Sequence, residues 1–211
     1  MDRNVISDQI QVVIFDCDGV MFDSRQANIA FYNAILNHFE KPCLGDDDTE
    51  IVHMSTAEES INYLFRNDPQ HSEAQKYRFQ VDYKQFINLM AMEPHLEKVL
   101  KSLRNRYQLA LATNRSNTIQ TILDMFKLSK YFDYVVSSLD VNNPKPHPES
   151  IFKILNHFSI DAHESVYVGD SIVDYEVTRQ ANIFFIAYKH PQLKADYHIN
   201  DLRELLTLLS L

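Results

Sequence analysis

Five short apolar runs spaced along the chain constrain its fold more than any other feature of the sequence. Each is four or five residues long and rich in β-branched or aromatic side chains, which is typical of a buried strand. Segments of helical length, 117–126, 148–158 and 172–181, separate the later runs. This alternation predicts right-handed β-α-β units and hence an α/β fold built on a parallel sheet. The runs are 11–15 (QVVIF), 108–112 (QLALA), 134–137 (YVVS), 165–168 (SVYV) and 183–187 (IFFIA).

The first two runs are separated by roughly ninety residues, far more than the dozen or so that a crossover connection needs. Residues 24–93 fill this gap with helical patterning and almost no strand signal. The helix-like segments within it are 27–39, 56–65 and 72–92. Pro94 then suits the first turn of a new helix. We therefore predict an α/β core formed by residues 1–23 and 94–211, with an all-helical module inserted at 24–93.

Composition excludes several classes of protein. The chain has only three glycines, at positions 19, 45 and 169, and these are too far apart to form either common nucleotide-binding loop. A net charge of −9 disfavours a large nucleic-acid interface, and no apolar stretch is long enough to span a membrane. The first ten residues lack the order of a secretory signal, and two cysteines give no disulfide framework. We expect a cytoplasmic protein, a monomer or weak dimer, that binds neither nucleic acid nor membrane.

Two carboxylates follow the first run directly. Asp16 and Asp18 stand where ligands bind in parallel sheets, just beyond the carboxyl end of a strand. Gly19 lets the chain turn sharply away from that strand. Two ionised carboxylates this close repel each other unless a cation or a proton separates them. The alternative interpretation is an acidic turn that merely ends a strand.

A second acidic pair follows the fourth run, at Gly169-Asp170 with Asp174 four residues later. Asp170 and Asp174 share one face of a helix, although acidic residues at a helix N-terminus also simply complement its dipole. If the two strands are neighbours, four carboxylates meet at one edge of the sheet. Such a cluster calls for a hard cation, and Mg²⁺ is the natural choice. Two of the three glycines thus stand beside the candidate carboxylates.

Two further segments could hold an anion. Thr113 and Asn114 follow the second run, where a hydroxyl and backbone amides at a helix start can bind phosphate. Lys145 lies between two prolines, which hold its segment extended and suit it to direct an ammonium group at an anion. The alternatives are an ordinary helix N-cap for the first segment and a surface connector with a solvated lysine for the second.

Taken in order, these four signals resemble the motifs of the haloacid dehalogenase-like (HAD) superfamily. The segment DCDGV resembles its first motif, the strand that ends in Thr113 its second, Lys145 its third, and GDSIVD its fourth. The helical insert after the first motif resembles the C1 cap of the phosphoglycolate phosphatase and β-phosphoglucomutase branch. The resemblance therefore implies a three-layer, Rossmann-like catalytic core at 1–23 and 94–211 with a helical cap at 24–93. The resemblance covers about residues 11–187.

The resemblance implies phosphoryl transfer to and from an aspartate. Asp16 would be the nucleophile and Asp18 the general acid and base. Thr113 and the Asn114 amide would hold the phosphate, and Lys145 would neutralise its charge. Mg²⁺ would be bound by Asp16, the Asp18 backbone carbonyl and Asp170. Asp174 would be a further ligand or a neighbour that orients the others. The implied activity is a Mg²⁺-dependent phosphatase acting on a small phosphorylated metabolite.

The same residues discriminate between this activity and the other functions that the family and the fold allow. Dehalogenases and phosphonatases of the superfamily lack the acid at the position of Asp18, so both are disfavoured. Mutases of the β-phosphoglucomutase type carry a histidine where this sequence has Asn28, which favours hydrolysis but leaves a phosphosugar mutase as an alternative. A non-catalytic phosphate-binding or signalling protein also stays open. Receiver domains, however, lack a large cap after the first strand. We interpret Cys17 as a packing residue.

Polar cap residues are the remaining candidates for substrate recognition. Arg66, Lys76, Arg78, Lys84 and several tyrosines could face the site, although long charged side chains are mostly solvated. The sequence does not identify the substrate.

Overall fold

The computed structural model describes residues 9–211. Its first eight residues, where the sequence predicts the start of the core and no secretory signal, lie outside the described part. All five predicted strands are confirmed, with ends that differ by at most one residue. The strands in chain order are β1 (Val12–Phe15), β2 (Phe22–Asp23), β3 (Ala91–Met92), β4 (Gln108–Ala112), β5 (Tyr134–Val136), β6 (Ser165–Gly169), β7 (Phe184–Tyr188) and β8 (Tyr197–Ile199).

Six of these strands form one parallel sheet in the order β5-β4-β1-β6-β7-β8. The sheet edge formed by β8 was not predicted, because a three-residue strand with the exposed His198 at its centre has no clear apolar pattern. The order places β4, β1 and β6 side by side. The carboxyl ends of these three strands carry the candidate residues, so the topology gathers them at one edge.

Apolar residues cover both faces of the sheet, which explains why its strands are continuously hydrophobic. Within β1, Val13 and Phe15 belong to one buried cluster, whereas Val12 and Ile14 belong to another on the opposite face. Helices pack on each side, and the three-layer α/β core is therefore confirmed. The core helices are α5 (Leu96–Leu103), α6 (Thr118–Met125), α7 (Glu149–Phe158), α8 (Ile172–Ala181) and α9 (Glu204–Leu208).

The chain between β2 and β3 is helical, as predicted, and the two short strands pair antiparallel where it leaves and rejoins the core. Its elements are α1 (Arg25–His38), α2 (Asp46–Met54), α3 (Ala57–Leu64), α4 (His71–Tyr77) and a 3₁₀ helix (Tyr83–Leu89), here called the helical insert. All of them fall within the predicted boundaries of the cap. No described helix is long and apolar enough to cross a membrane.

Two details of the insert differ from the prediction. Residues 72–92 do not form one helical segment, because the Asp82 side chain accepts from the Lys84 backbone N–H and begins a separate 3₁₀ helix. The end of the segment becomes β3, which pairs with β2. Helix α2 was not predicted, since it has little apolar periodicity. Its start is stabilised by a bond from the Gly45 N–H to the Asp48 carboxylate and by acidic side chains near the positive end of the helix dipole.

Candidate active site

The predicted site residues converge at the carboxyl ends of the three central strands. Asp16 follows β1, and its backbone N–H donates to the Val168 carbonyl of β6 at 2.9 Å. Thr113 follows β4 and Asp170 follows β6. Six of the seven predicted side chains line a single pocket between the core and the helical insert; the seventh, Asp174, is fully buried behind it.

Lys145 lies at the centre of the buried charges. Its Nζ donates to Asp16 Oδ1 at 2.9 Å and to Asp174 Oδ1 at 2.8 Å. It also donates to the hydroxyl of Tyr167 at 2.8 Å. Burial alone would lower the pKa of Lys145, but the carboxylates of Asp16 and Asp174 raise it above its usual value. The lysine is therefore a permanent positive charge between two acids.

The loop that carries Lys145 is fixed by Asn114 to the segment that follows β4. The Asn114 side chain donates to the Lys145 carbonyl at 3.0 Å and accepts from the Lys145 N–H at 3.1 Å. The Asn114 side chain is thus used to hold this loop, and its backbone amide is the group left for a phosphate. Thr113 is buried and lines the pocket, as its predicted role requires.

Asp174 is surrounded by donors from the protein. One carboxylate oxygen accepts from Lys145 and Tyr167, at 2.8 and 2.9 Å. The other accepts from the backbone N–H groups of Asp170 and Ser171 and from the Ser171 hydroxyl. Burial tends to raise the pKa of Asp174, but Lys145 and these hydrogen bonds lower it below the usual value. Asp174 is therefore an ionised group that orients its neighbours.

Asp16 and Asp170 are in the opposite situation. Burial, together with the negative charge of Asp174, raises the pKa of Asp170 to about 8. Burial also raises the pKa of Asp16 to about 7, although Lys145 offsets part of the effect. Asp16, Asp170 and Asp174 each offer an oxygen within 4.8 Å of the others. Clustered, under-neutralised carboxylate oxygens are the donors that a hard divalent cation such as Mg²⁺ prefers, so the residues fit that ion.

Gly19 makes room for this cluster. Its φ of +76° lies in the left-handed region that favours glycine. A Cβ at position 19 would lie 1.9 Å from Asp170 Oδ2, far inside van der Waals contact. The predicted need for glycine beside the carboxylates is therefore confirmed here by both backbone shape and close approach.

Asp18 points to a different part of the pocket from Asp16. Its Oδ1 accepts from Arg115 Nη2 at 2.5 Å and from the Ser24 hydroxyl. Burial tends to raise the pKa of Asp18, but the Arg115 guanidinium and the hydrogen bond from Ser24 lower it below the usual value. The structure thus separates the two acids of the first motif, with Asp16 bound to Lys145 and Asp18 bound to Arg115.

Sequence reasoning gave no role to Arg115, which follows Thr113 and Asn114 directly. The residue is only 8% exposed, and its Nη2 also donates to Asn28 Oδ1 of α1 at 3.1 Å. Its guanidinium lies over the ring of Tyr83, 5.0 Å from the centroid. The sequence signal that could have identified Arg115 is its position just after the end of β4, next to Thr113 and Asn114. His53 of α2 also lines the pocket and was missed.

Of the cap residues that were weighed for recognition, the tyrosines Tyr32 and Tyr83 line the pocket, whereas the four charged residues do not. Arg66, Lys76, Arg78 and Lys84 are not among the described residues that line the pocket. Cys17 is fully buried within the core, in agreement with its interpretation as a packing residue.

Comparison with protein families places most of this chain in one group. The sequence model of haloacid dehalogenase-like hydrolases matches residues 13–188. A HAD-superfamily hydrolase, subfamily IA, variant 1, from Geobacter sulfurreducens is 38% identical in sequence. That crystal structure superposes with a TM-score of 0.84 and covers 95% of this chain and 100% of its own.

More distant relatives carry more specific names. The pyrophosphatase PpaX of Bacillus mycoides is 24% identical over 96% of this chain and 98% of its own length. The phosphoglycolate phosphatase of Pseudomonas syringae pv. tomato is 24% identical over 93% of this chain and 78% of its own. A β-phosphoglucomutase from Clostridium difficile is 18% identical, with a TM-score of 0.80 over 93% of both chains, which shows a common fold.

Proposed function

The chain belongs to the haloacid dehalogenase-like hydrolases, and from this premise we propose that it is a Mg²⁺-dependent phosphatase of a small phosphorylated metabolite. The observation that carries the proposal is the position of Lys145. Its ammonium group is bound between Asp16 and Asp174 at the carboxyl ends of three adjacent strands. A dianionic phosphate can approach an anionic nucleophile only if nearby positive charge offsets their repulsion. Relatives named pyrophosphatase and phosphoglycolate phosphatase favour phosphate as the group that is transferred.

In the first step, Asp16 attacks phosphorus. A bond forms between the Asp16 carboxylate oxygen and phosphorus, and the bond from phosphorus to the leaving oxygen breaks. Asp18 donates a proton to that oxygen. Lys145, Thr113 and the Asn114 amide hold the charge of the transferred group. The product of this step is an aspartyl-phosphate on Asp16.

In the second step, water regenerates the enzyme. Asp18 takes a proton from the water, whose oxygen attacks phosphorus and releases inorganic phosphate with the Asp16 carboxylate restored. The pairing with Arg115 favours the ionised form of Asp18, which suits this step. To act as the acid in the first step, Asp18 must be protonated beforehand. Its contact with Arg115 must weaken at that point, because Arg115 favours the ionised form.

The proposed Mg²⁺ ligands are Asp16, Asp170 and the Asp18 carbonyl. Bound there, the ion would supply positive charge that lets a phosphate oxygen and a carboxylate lie side by side. Asp174, whose oxygens accept protein N–H and O–H groups, is proposed to orient this set from behind.

We also propose that residues 24–93 act as a cap domain over a core of 1–23 and 94–211. Apolar side chains of the helical insert, Phe31, Tyr32 and Val52, line the pocket opposite the carboxylates. A lid of this kind excludes bulk water from the phosphorylated intermediate and admits a small substrate. A location in the cytoplasm is proposed on the two free cysteines.

Hydrolysis is preferred over a mutase because position 28 holds no acid or base. Asn28 Oδ1 accepts from the Tyr83 hydroxyl at 2.8 Å and from Arg115 at 3.1 Å. An amide in that position cannot take the part of a titrating histidine. A signalling role is disfavoured by the enclosed pocket, which suits a small molecule rather than a protein surface.

The test is a panel of phosphorylated metabolites with released phosphate as the readout, with Mg²⁺ or with excess chelator. We expect turnover of at least one small phosphate ester or anhydride and loss of that turnover on chelation. Absence of phosphate release across the panel would contradict the phosphatase, and an unchanged rate after chelation would contradict the Mg²⁺ requirement. Accumulation of acid-labile phosphoprotein from a sugar bisphosphate, without free phosphate, would favour the mutase.

A further inference from the structure

Arg115 is a buried cation that the proposed phosphoryl transfer uses only through its contact with Asp18. Lys145 and Arg115 are the two lysine or arginine side chains among the described residues lining the pocket. Lys145 is already bound to Asp16 and Asp174, whereas Arg115 lies on the far side, against Asp18. Burying a guanidinium at 6% side-chain exposure is costly unless its donors are satisfied.

The donors of Arg115 are not all satisfied. Nη2 donates to Asp18 and Asn28, and Nη1 reaches Thr118 at 3.4 Å. Nε is buried and has no hydrogen-bond partner. A buried charged donor without a partner destabilises the folded protein by more than a typical hydrogen bond stabilises it. Arg115 thus lines the pocket with hydrogen-bonding capacity that the protein itself does not use.

A second unsatisfied nitrogen lines the same pocket. His53 Nδ1, on α2 of the helical insert, is buried without a hydrogen-bond partner. Within residues 9–211, three buried side-chain polar atoms lack partners, and the third belongs to Ser150 on α7, outside the pocket. Two of these atoms thus share one pocket, one contributed by the core and one by the insert.

The contact with Asp18 shows which part of a substrate these groups would meet. The group that protonates the leaving oxygen must touch it, so a cation bonded to Asp18 lies beside the leaving group and not beside the transferred phosphate. Arg115 is also held in place, since Asn28 accepts from it and Tyr83 lies under its plane. A fixed, planar, multi-donor cation is suited to a carboxylate or a phosphate.

We propose that Arg115, with His53, forms a second anion subsite, so that the substrate carries a carboxylate or a second phosphate close to the phosphate that is removed. This inference rests on the proposed phosphatase function and names its substrate class. The subsite would give the enzyme higher kcat/KM for anionic than for neutral leaving groups. Arg115 is then a specificity-determining residue in addition to its contact with Asp18.

The experiment compares kcat/KM for 2-phosphoglycolate, inorganic pyrophosphate and phenyl phosphate in the wild type and in Arg115→Met. Phenyl phosphate supplies the same transferred group without a second anion. We expect the preference for the better anionic substrate over phenyl phosphate to fall at least about 30-fold in Arg115→Met, from the loss of a buried charge contact. The carboxylate and phosphate arms distinguish the two forms of the anion.

A role of Arg115 through Asp18 alone would change turnover according to the basicity of the leaving oxygen, but it would leave the relative binding of the three substrates unchanged, which would overturn the proposal. Arg115→Lys, which keeps the charge, should restore part of the preference and also serves if Arg115→Met fails to fold. His53→Gln should lower the preference by about 3- to 10-fold. Arg203→Met is the control, because that arginine is paired with Asp201 at the surface.

Binding separates failure of the subsite from failure of the phosphatase. Calorimetry with 2-phosphoglycolate on the catalytically impaired Asp16→Asn variant should give tighter binding than phenyl phosphate does, and Arg115→Met in that background should remove the difference. Equal binding of the two probes overturns the subsite even if phosphate is released. Tight binding without turnover of any phosphate ester supports the subsite and contradicts the proposed function.

Discussion

The two sides of the pocket differ in how completely the protein satisfies its own polar groups. The strand side is defined here as Asp16, Lys145, Tyr167, Asp170 and Asp174, and the helix side as Asn28, His53, Tyr83 and Arg115. On the strand side, Lys145 makes three hydrogen bonds and Asp174 accepts from four residues. On the helix side, Arg115 Nε and His53 Nδ1 have no partner.

This difference separates chemistry from recognition. The strand side is held together by many hydrogen bonds, but its negative charge is not fully neutralised. The raised pKa values of Asp16 and Asp170 indicate that a cation would complete it. The helix side has the Arg115 cation and two buried nitrogens without partners, so the group that would complete it is an anion. A substrate with both a phosphate and a second anionic group would complete the two sides at once.

The largest expected effect tests the strand side through its nucleophile. Asp16→Asn keeps the size of the side chain but removes the attacking oxygen charge, so kcat should fall at least about 1,000-fold. The circular dichroism spectrum should be unchanged. Asp23→Asn is a matched control, because Asp23 is exposed beyond the end of the site. Substantial residual turnover in Asp16→Asn would contradict the division into a chemical and a recognition side.

The strand side was predictable from the sequence because its residues follow strands. A carboxylate directly after a buried run, as at Asp16 or Asp170, must lie at the carboxyl edge of a parallel sheet, whatever the rest of the chain does. The neighbour relation of β1, β4 and β6 then brings them together. Tyr167 escaped notice because its hydroxyl reaches Lys145 and Asp174 from inside a strand that otherwise appears to be purely structural.

A second prediction tests whether the absence of a side chain at Gly19 is needed to position Asp170. Gly19→Ala would place a Cβ 1.9 Å from Asp170 Oδ2 in a backbone conformation that alanine disfavours. Asp170 must move, and we expect the activation constant for Mg²⁺ to rise about 10- to 100-fold. The control is Gly45→Ala, where the nearest atom, Asp48 Oδ2, would be 3.5 Å away and the backbone is extended. Equal Mg²⁺ constants in the two variants would show that Gly19 serves only the turn.

A third prediction concerns the hydroxyl that joins Lys145 to Asp174. Tyr167→Phe removes a group that accepts from Lys145 Nζ and lies 2.9 Å from Asp174 Oδ1 and 3.1 Å from the Ala112 carbonyl. We expect kcat to fall about 10-fold with little change in KM, and unfolding to become easier by about 1 kcal/mol. Tyr134→Phe, whose ring stacks on His157 at the edge of the sheet, should change neither. An effect on KM alone would place Tyr167 in substrate binding instead.

The helix side was not predictable, since its geometry depends on how the insert folds back on the core. Arg115 comes from a loop after β4, while Asn28 and Tyr83 are 55 residues apart on different helices of the insert. No local pattern places them together. His53 belongs to α2, a helix without apolar periodicity, so neither the element nor its contact with the pocket had a sequence signal.

The smallest expected effect is on stability, and it tests whether the need for a cation is confined to the carboxylates of the strand side. Asp16 and Asp170 have pKa values of about 7 and about 8, against an ordinary value of 3.8. A carboxyl whose pKa is raised by folding stabilises the folded state fully below its unfolded pKa and loses that contribution as pH rises through its folded pKa. These two residues should therefore make the metal-free protein less stable from about pH 4 towards pH 8.

Mg²⁺ should reverse that loss, because the ion binds only the ionised carboxylates. We expect the increase in Tm on adding saturating Mg²⁺ to be at least about 3 °C larger at pH 8 than at pH 5.5. Asp170→Asn should reduce this difference, whereas Arg115→Met should leave it intact because Arg115 bonds to none of the three clustered carboxylates. If Arg115→Met abolished the difference as strongly as Asp170→Asn, the two sides of the pocket would form one coupled electrostatic unit, and recognition could not be altered without altering the metal site.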